Sequence, residues 1–260
     1  MKRILALIAI VAATAASCRA AAPPARGHVR IAAASDLNAA LADLVGRFSA
    51  SRAIDVTVSY GSSGNFYAQL LNQAPFDIFL SADVTYPRQL ASRGLTLPDS
   101  DFTYAIGRIV LWVPRSSRID PHRGLGVLAD ASVAHVSIAN PDHAPYGRAA
   151  VAALTKEGVY DAVRSKIVYG ENVAQAMQFV QSGAADAGIV ALSLAKAPAA
   201  RDAGTYAEVP LDEYPRLEQG GTILKWAADV DAARAFRAYM LGADGRAILQ
   251  EYGLSMAAGG

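Results

Sequence analysis

From Val29 onward, short apolar segments alternate with stretches whose apolar residues recur every three or four positions. That rhythm narrows the fold more than any other feature, because strands joined through helices run parallel and need helices on both faces. Strands are expected at 29–34, 54–59, 78–81, 102–113, 136–139, 166–169, 187–190, 206–210 and 221–224. Helices are expected at 37–51, 65–73, 85–93, 147–157, 160–163, 173–182, 191–195, 228–241 and 244–252. The apolar run from Tyr104 to Val113 is long enough to pass from one lobe into another, and the strand at 221–224 is the candidate return. This divides the chain into a first lobe, 28–110 plus 224–260, on which the last helices pack, and a second lobe, 111–223. Ligands of such sheets sit beyond the carboxyl ends of strands, in a cleft that closes by hinge motion.

The N-terminus reads as an export signal over residues 1–20: Lys2-Arg3, an apolar run from Ile4 to Ala16, then small residues around Cys18. The run is too short to span a bilayer. Cys18 is the single cysteine, so the mature fold uses no disulfide and no thiolate chemistry. Cleavage near Ala20 is the preferred route, with a lipid anchor at Cys18 as the alternative. Loss of residues 1–20 removes Lys2, Arg3 and Arg19 and turns the formal charge of +1 into −2. A near-neutral body without a basic run argues against nucleic acid as a partner.

Four turns carry the chemistry. Ser35-Asp36 follows the first strand, and Gly61-Ser62-Ser63-Gly64 follows the second. Residues Asn140 to Gly147 and the turn Gly170-Glu171-Asn172-Val173 occupy equivalent places later in the chain. Each alone is an ordinary helix cap. As a set they describe an anion site, since helix starts offer free N–H groups and the positive end of the helix dipole.

Those turns, together with Ala32-Ala33-Ala34, Phe76 to Asp83, Phe102 to Gly107 and Gly183 to Leu192, resemble the periplasmic molybdate-binding components of ABC transporters. The likeness runs from about Val29 to the C-terminus. It implies an α/β, two-lobed type II periplasmic-binding-protein fold, with mixed sheets flanked by helices and a ligand cleft between the lobes. It also implies capture of molybdate or tungstate outside the inner membrane, delivery to a membrane permease, a monomeric state, no enzymatic activity and no cofactor. Molybdenum would arrive as the oxyanion, without direct metal ligands. Carried over by position, Ser35 and Ser63 donate hydroxyl and N–H groups, Tyr146 and Val173 donate backbone N–H groups, and Asp36, Ser62 and Asn172 are additional contacts.

Two positions depart from the pattern. Ala191 stands where some members carry a tyrosine whose hydroxyl reaches the anion, and Tyr146 stands where those members carry a small residue. The Tyr146 hydroxyl is therefore a candidate replacement donor. Asp36 would repel a dianion, so its side chain is expected to turn away or cap the next helix, leaving only its N–H toward the cleft.

Other readings remain open at this point: another tetrahedral oxyanion such as sulfate, or a serine hydrolase using Ser63. Cavity size is the expected discriminator among oxyanions, since charge and shape are shared. His28, His122, His135 and His143 lack metal-ligand spacing, although His143 falls where it would line the rim. Tyr60, Tyr67, Tyr86 and Tyr104 read as packing residues, and Trp112 and Trp226 as core near the crossings.

Overall fold

The structure, a computed structural model, describes residues 26–255. The export signal and Cys18 lie outside the described residues.

The chain begins with β1 (Gly27–Ala34), α1 (Asn38–Ser51), β2 (Ile54–Gly61), α2 (Ser63–Leu71), β3 (Ile78–Ser81), α3 (Thr85–Ser92) and β4 (Phe102–Gly107). After Arg108 it continues through β5 (Ile109–Pro114), β6 (Val136–Ala139), α4 (Pro145–Lys156), α5 (Tyr160–Val163), β7 (Ile167–Gly170), α6 (Val173–Gln181) and β8 (Ala187–Ala191). The remaining elements are α7 (Leu192–Ala195), α8 (Pro198–Ala203), β9 (Gly204–Glu208), β10 (Leu217–Ile223), α9 (Val230–Leu241) and α10 (Ala243–Glu251). No helix among the described residues is long and apolar enough to cross a membrane.

Two sheets of five strands share one plan. The first has the order β2-β1-β3-β10-β4 and the second β7-β6-β8-β5-β9. In each, three strands run parallel through helical crossovers, and an antiparallel strand joins them to the edge. The apolar run over 102–113 is broken at Arg108 into β4 of the first sheet and β5 of the second. The chain returns between β9 and β10. Strand pairing therefore moves the expected divisions: Ile109 and Val110 belong to the second sheet, and β10, expected in the second lobe, pairs with β3 and β4 of the first. Hydropathy could not locate this division, because both sides of each crossing are apolar.

Period-two burial explains the first lobe. Val29, Ile31, Ile78 and Leu80 face a core with Leu41 and Phe48 of α1 and Phe236 of α9, while Phe79 and Ala32 face Phe66 and Leu70 of α2 and Leu90 of α3. Phe48 and Phe236 meet edge to face at 5.2 Å. The final helices thus pack on the first lobe, as read from the sequence. Trp112 is buried in the second lobe's core, and Trp226 packs beside Leu224 and donates from Nε1 to the Ala74 carbonyl at 3.0 Å.

Asp77 ties three segments of the first lobe together. Its Oδ2 accepts from Arg30 N at 2.7 Å and its Oδ1 from Ala228 N at 2.8 Å, with the Arg30 guanidinium bonded to both oxygens. Burial alone would raise its pKa, but these bonds hold it below the usual carboxylate value.

Candidate functional site

Register brings the turns together. Ala34 pairs with Gly61 at the ends of β1 and β2, so Ser35 and Ser62 leave the first sheet side by side. Ala139 pairs with Gly170 at the ends of β6 and β7, so Asn140 and Glu171 leave the second sheet in the same way. The two carboxyl-end edges face each other across the cleft.

Four helix starts converge there: the tight turn beginning at Ser35, and the N-termini of α2, α4 and α6. Ser63 and Val173 are first residues of their helices and Tyr146 is the second of α4, so their N–H groups have no partner within the helix. Ser35, Ser63, Tyr146 and Val173 all line one small space between the lobes, together with Asp36 and Ala82. No lysine, arginine or histidine lines it.

The serine hydroxyls are set up as donors. Ser63 Oγ accepts the N–H of Ala82 at 2.9 Å, and Ser35 Oγ accepts the N–H of Ala174 at 3.3 Å across the lobes. With an acceptor position of each oxygen filled from the backbone, each hydroxyl hydrogen remains for an acceptor in the cavity. The site therefore presents N–H and O–H hydrogens, aligned with helix dipoles, and suits an anion with several oxygens.

Two sequence-derived candidates have other partners. Ser62 is the N-cap of α2: its Oγ accepts from Asn65 N at 3.4 Å and lies 2.9 Å from His143 Nδ1. Asn172 caps α6, its Oδ1 accepting from Ala174 N and Gln175 N at 3.1 Å. Neither side chain lines the cavity. His143 sits at the rim, as expected, with Nε2 3.8 Å from Glu171.

The Tyr146 hydroxyl is engaged within the protein rather than free as a donor. It donates to Asp36 Oδ2 at 3.1 Å and accepts from Gln219 Nε2 at 3.0 Å, so its hydrogen is committed to Asp36. Asp36 does not cap α1, whose start has no side-chain cap. Its carboxyl instead turns into the protein, with Oδ2 also accepting from Gln219 at 2.6 Å and Oδ1 buried without a partner. Ser193 donates to the Asp36 carbonyl at 2.7 Å. Burial pushes the Asp36 carboxyl up to about 7, against the bonds from Gln219, Tyr146 and its own backbone N–H, which act to lower it. Burial and the nearby Asp36 charge hold the Tyr146 hydroxyl well above its ordinary pKa.

Gln219 was not legible as a site residue, because the expected strand began at 221 and a lone glutamine in a strand carries no signal. Gly107 completes the cluster: a Cβ there would lie 2.4 Å from the Tyr146 hydroxyl and 2.8 Å from Gln219 Nε2.

Comparison with known proteins follows this geometry. The family described as bacterial extracellular solute-binding protein matches residues 29–255, which include every element of both sheets except the first two residues of β1. The chain belongs to the bacterial extracellular solute-binding proteins. Among relatives of this solute-binding chain, the molybdate-binding protein ModA of Azotobacter vinelandii is 38% identical over 229 residues, covering 88% of this chain and 90% of the relative. ModA of Rhodobacter capsulatus is 35% identical over 231 residues, covering 89% of each. The solved periplasmic molybdate-binding protein of Azotobacter vinelandii superposes with a TM-score of 0.83 at 36% identity, covering 88% of this chain and 99% of that one. The sulfate-binding protein SubI of Mycobacterium tuberculosis shares the fold, with a TM-score of 0.73 at 15% identity over 90% of this chain and 88% of its own. The fold is thus the two-lobed periplasmic-binding type expected from the sequence.

Proposed function

We propose that this protein captures molybdate, and tungstate with it, outside the inner membrane and delivers the anion to an ABC permease, acting as a monomer without catalysis. The observation that carries the reading is the convergence of Ser35, Ser63, Tyr146 and Val173 on one small cavity without a cation. Ser35 and Ser63 would each give a hydroxyl and an N–H, and Tyr146 and Val173 an N–H each. Hydrogen bonds to a charged group contribute about 1.5–3 kcal/mol each, enough in sum to hold a dianion after desolvation and closure are met. The ModA relatives support molybdate as the ligand.

The hydrolase reading finds little support. Ser63 Oγ takes the N–H of Ala82, while the histidine in reach, His143, meets Ser62 instead. Titration calorimetry with molybdate, tungstate, sulfate and phosphate tests the proposal. Tight binding of molybdate and tungstate with far weaker sulfate binding is expected; sulfate binding of equal strength would overturn selection by cavity size.

A further inference from the structure

We propose that anion binding in this cavity is coupled to the uptake of one proton, held by Asp36 as a neutral carboxylic acid beside Tyr146 and Gln219. The inference rests on the oxyanion reading above and adds a titrating partner to it. Asp36 is 1% exposed and lines the cavity. Both of its side-chain donors, Tyr146 and Gln219, fall on Oδ2, while Oδ1 is buried without any. An ionised carboxyl spreads its charge over both oxygens, so half of it would sit on a buried atom with no donor, which is costly. Protonation at Oδ1 removes that charge and leaves Oδ2 as a carbonyl-like acceptor of two bonds. The 2.6 Å separation between Gln219 Nε2 and Oδ2 also matches an O–H···O bond better than an N–H···O bond. A rotated Gln219 amide would accept a proton from Oδ2, and Asp36 is neutral in that arrangement too.

Among the described residues no cationic side chain pairs with Asp36. Tyr146 of α4 and Tyr104 of β4 face it, with Tyr214 behind Tyr146, and burial holds all three hydroxyls above their ordinary pKa. β10 contributes Gln219, and α7 contributes Ser193 to the main chain. α6, packed against the Ser35 turn, carries no titratable side chain. Arg108, next to Gly107, and Arg148, two residues from Tyr146, engage other acids: Arg108 pairs with Glu208 at 2.7 Å and Arg148 with Asp83 at 2.8 Å.

Burial already pushes the carboxyl up to about 7, and a dianion in the same cavity acts with the same sign, disfavouring the charged form. Below that pH Asp36 is protonated before the anion arrives, and no proton moves. Above it, each binding event draws a proton from solvent, so affinity falls toward tenfold per pH unit.

Calorimetry with sodium molybdate in buffers of different ionisation enthalpy counts the protons, since molybdate itself carries no proton in this range. Uptake approaching one proton per anion at about pH 8 is expected, with Kd rising toward tenfold per unit above about pH 7. Asp36→Asn is expected to bind molybdate with no uptake and a flat profile over that range. Wild-type molybdate binding without proton uptake, or equal uptake by Asp36→Asn, would overturn the inference. If Asp36→Asn does not fold, the wild-type buffer series decides alone. Failure of the wild type to bind molybdate at any pH would overturn the oxyanion reading instead.

Discussion

The N–H of Gly64 donates to the carbonyl of His143 at 2.9 Å, joining the first turn of α2 to the loop before α4 across the mouth of the cleft. The approach leaves no room for a side chain: a Cβ on Gly64 would lie 2.6 Å from that carbonyl oxygen and 2.9 Å from His143 Cα. Gly64→Ala should leave the first lobe folded, since Ala suits a helix, yet oppose closure. Overpacking of this kind costs about 1–3 kcal/mol, so molybdate affinity should fall about tenfold or more while the anion-free melting temperature barely moves. Calorimetry and thermal denaturation read the two effects separately; unchanged affinity would show that closure does not need this contact.

Ser35→Ala and Ser63→Ala each remove one hydroxyl donor; Ser63→Ala also strands the N–H of Ala82, whereas that of Ala174 keeps the Asn172 cap. Each is expected to weaken molybdate binding by about 1–3 kcal/mol. If neither changes Kd, the anion sits elsewhere.

The ion pair between Arg148 and Asp83 also spans the lobes, with Arg148 over the Tyr86 ring at 5.9 Å. Its side chains are 40% and 26% exposed, so solvent screens the attraction. Exposed pairs contribute about 0–1 kcal/mol, and Arg148→Ala should change molybdate affinity by less than about fivefold. A larger loss in calorimetry would mean that this pair, rather than the cavity donors, governs closure.

Asp77 sets an acid limit on the first lobe. Its folded-state pKa lies below the ordinary value despite burial, because Arg30 and two backbone N–H groups favour the charged form. A depressed carboxyl stabilises the fold above its unfolded pKa of about 3.9, and that contribution is lost as pH falls through the folded value. The melting temperature should therefore drop steeply below about pH 4. Asp77→Ala should cost about 3 kcal/mol at neutral pH and flatten the acid limb. An unaltered limb would place the titrating group elsewhere.

Local order was legible wherever one residue type has one physical use. Apolar alternation located β1, β2, β3 and β6, and the small hydroxyl turns after them located Ser35 and Ser63. Helix starts were displaced where a proline opened the helix: α4 begins at Pro145, not 147, which puts Tyr146 in its first turn. The strand expected at 206–210 forms two residues earlier, and the return strand is longer than 221–224 because Leu217 to Gly220 also pair with β4.

The chain by itself determined the alternating elements and the four polar turns, since helix caps, strand periodicity and turn residues act over a few positions. Only the tertiary structure decided which turns meet, and what their side chains do once they meet. Asp36, Tyr146 and Gln219 are far apart in sequence and carry no shared local signal. Their union depends on the lobes closing around a crossing where Gly107 leaves space, and burial there changes what a carboxyl and a phenol can do. A residue read as a donor became the partner of an acid, because long-range packing assigns hydrogen-bond roles that sequence spacing cannot express.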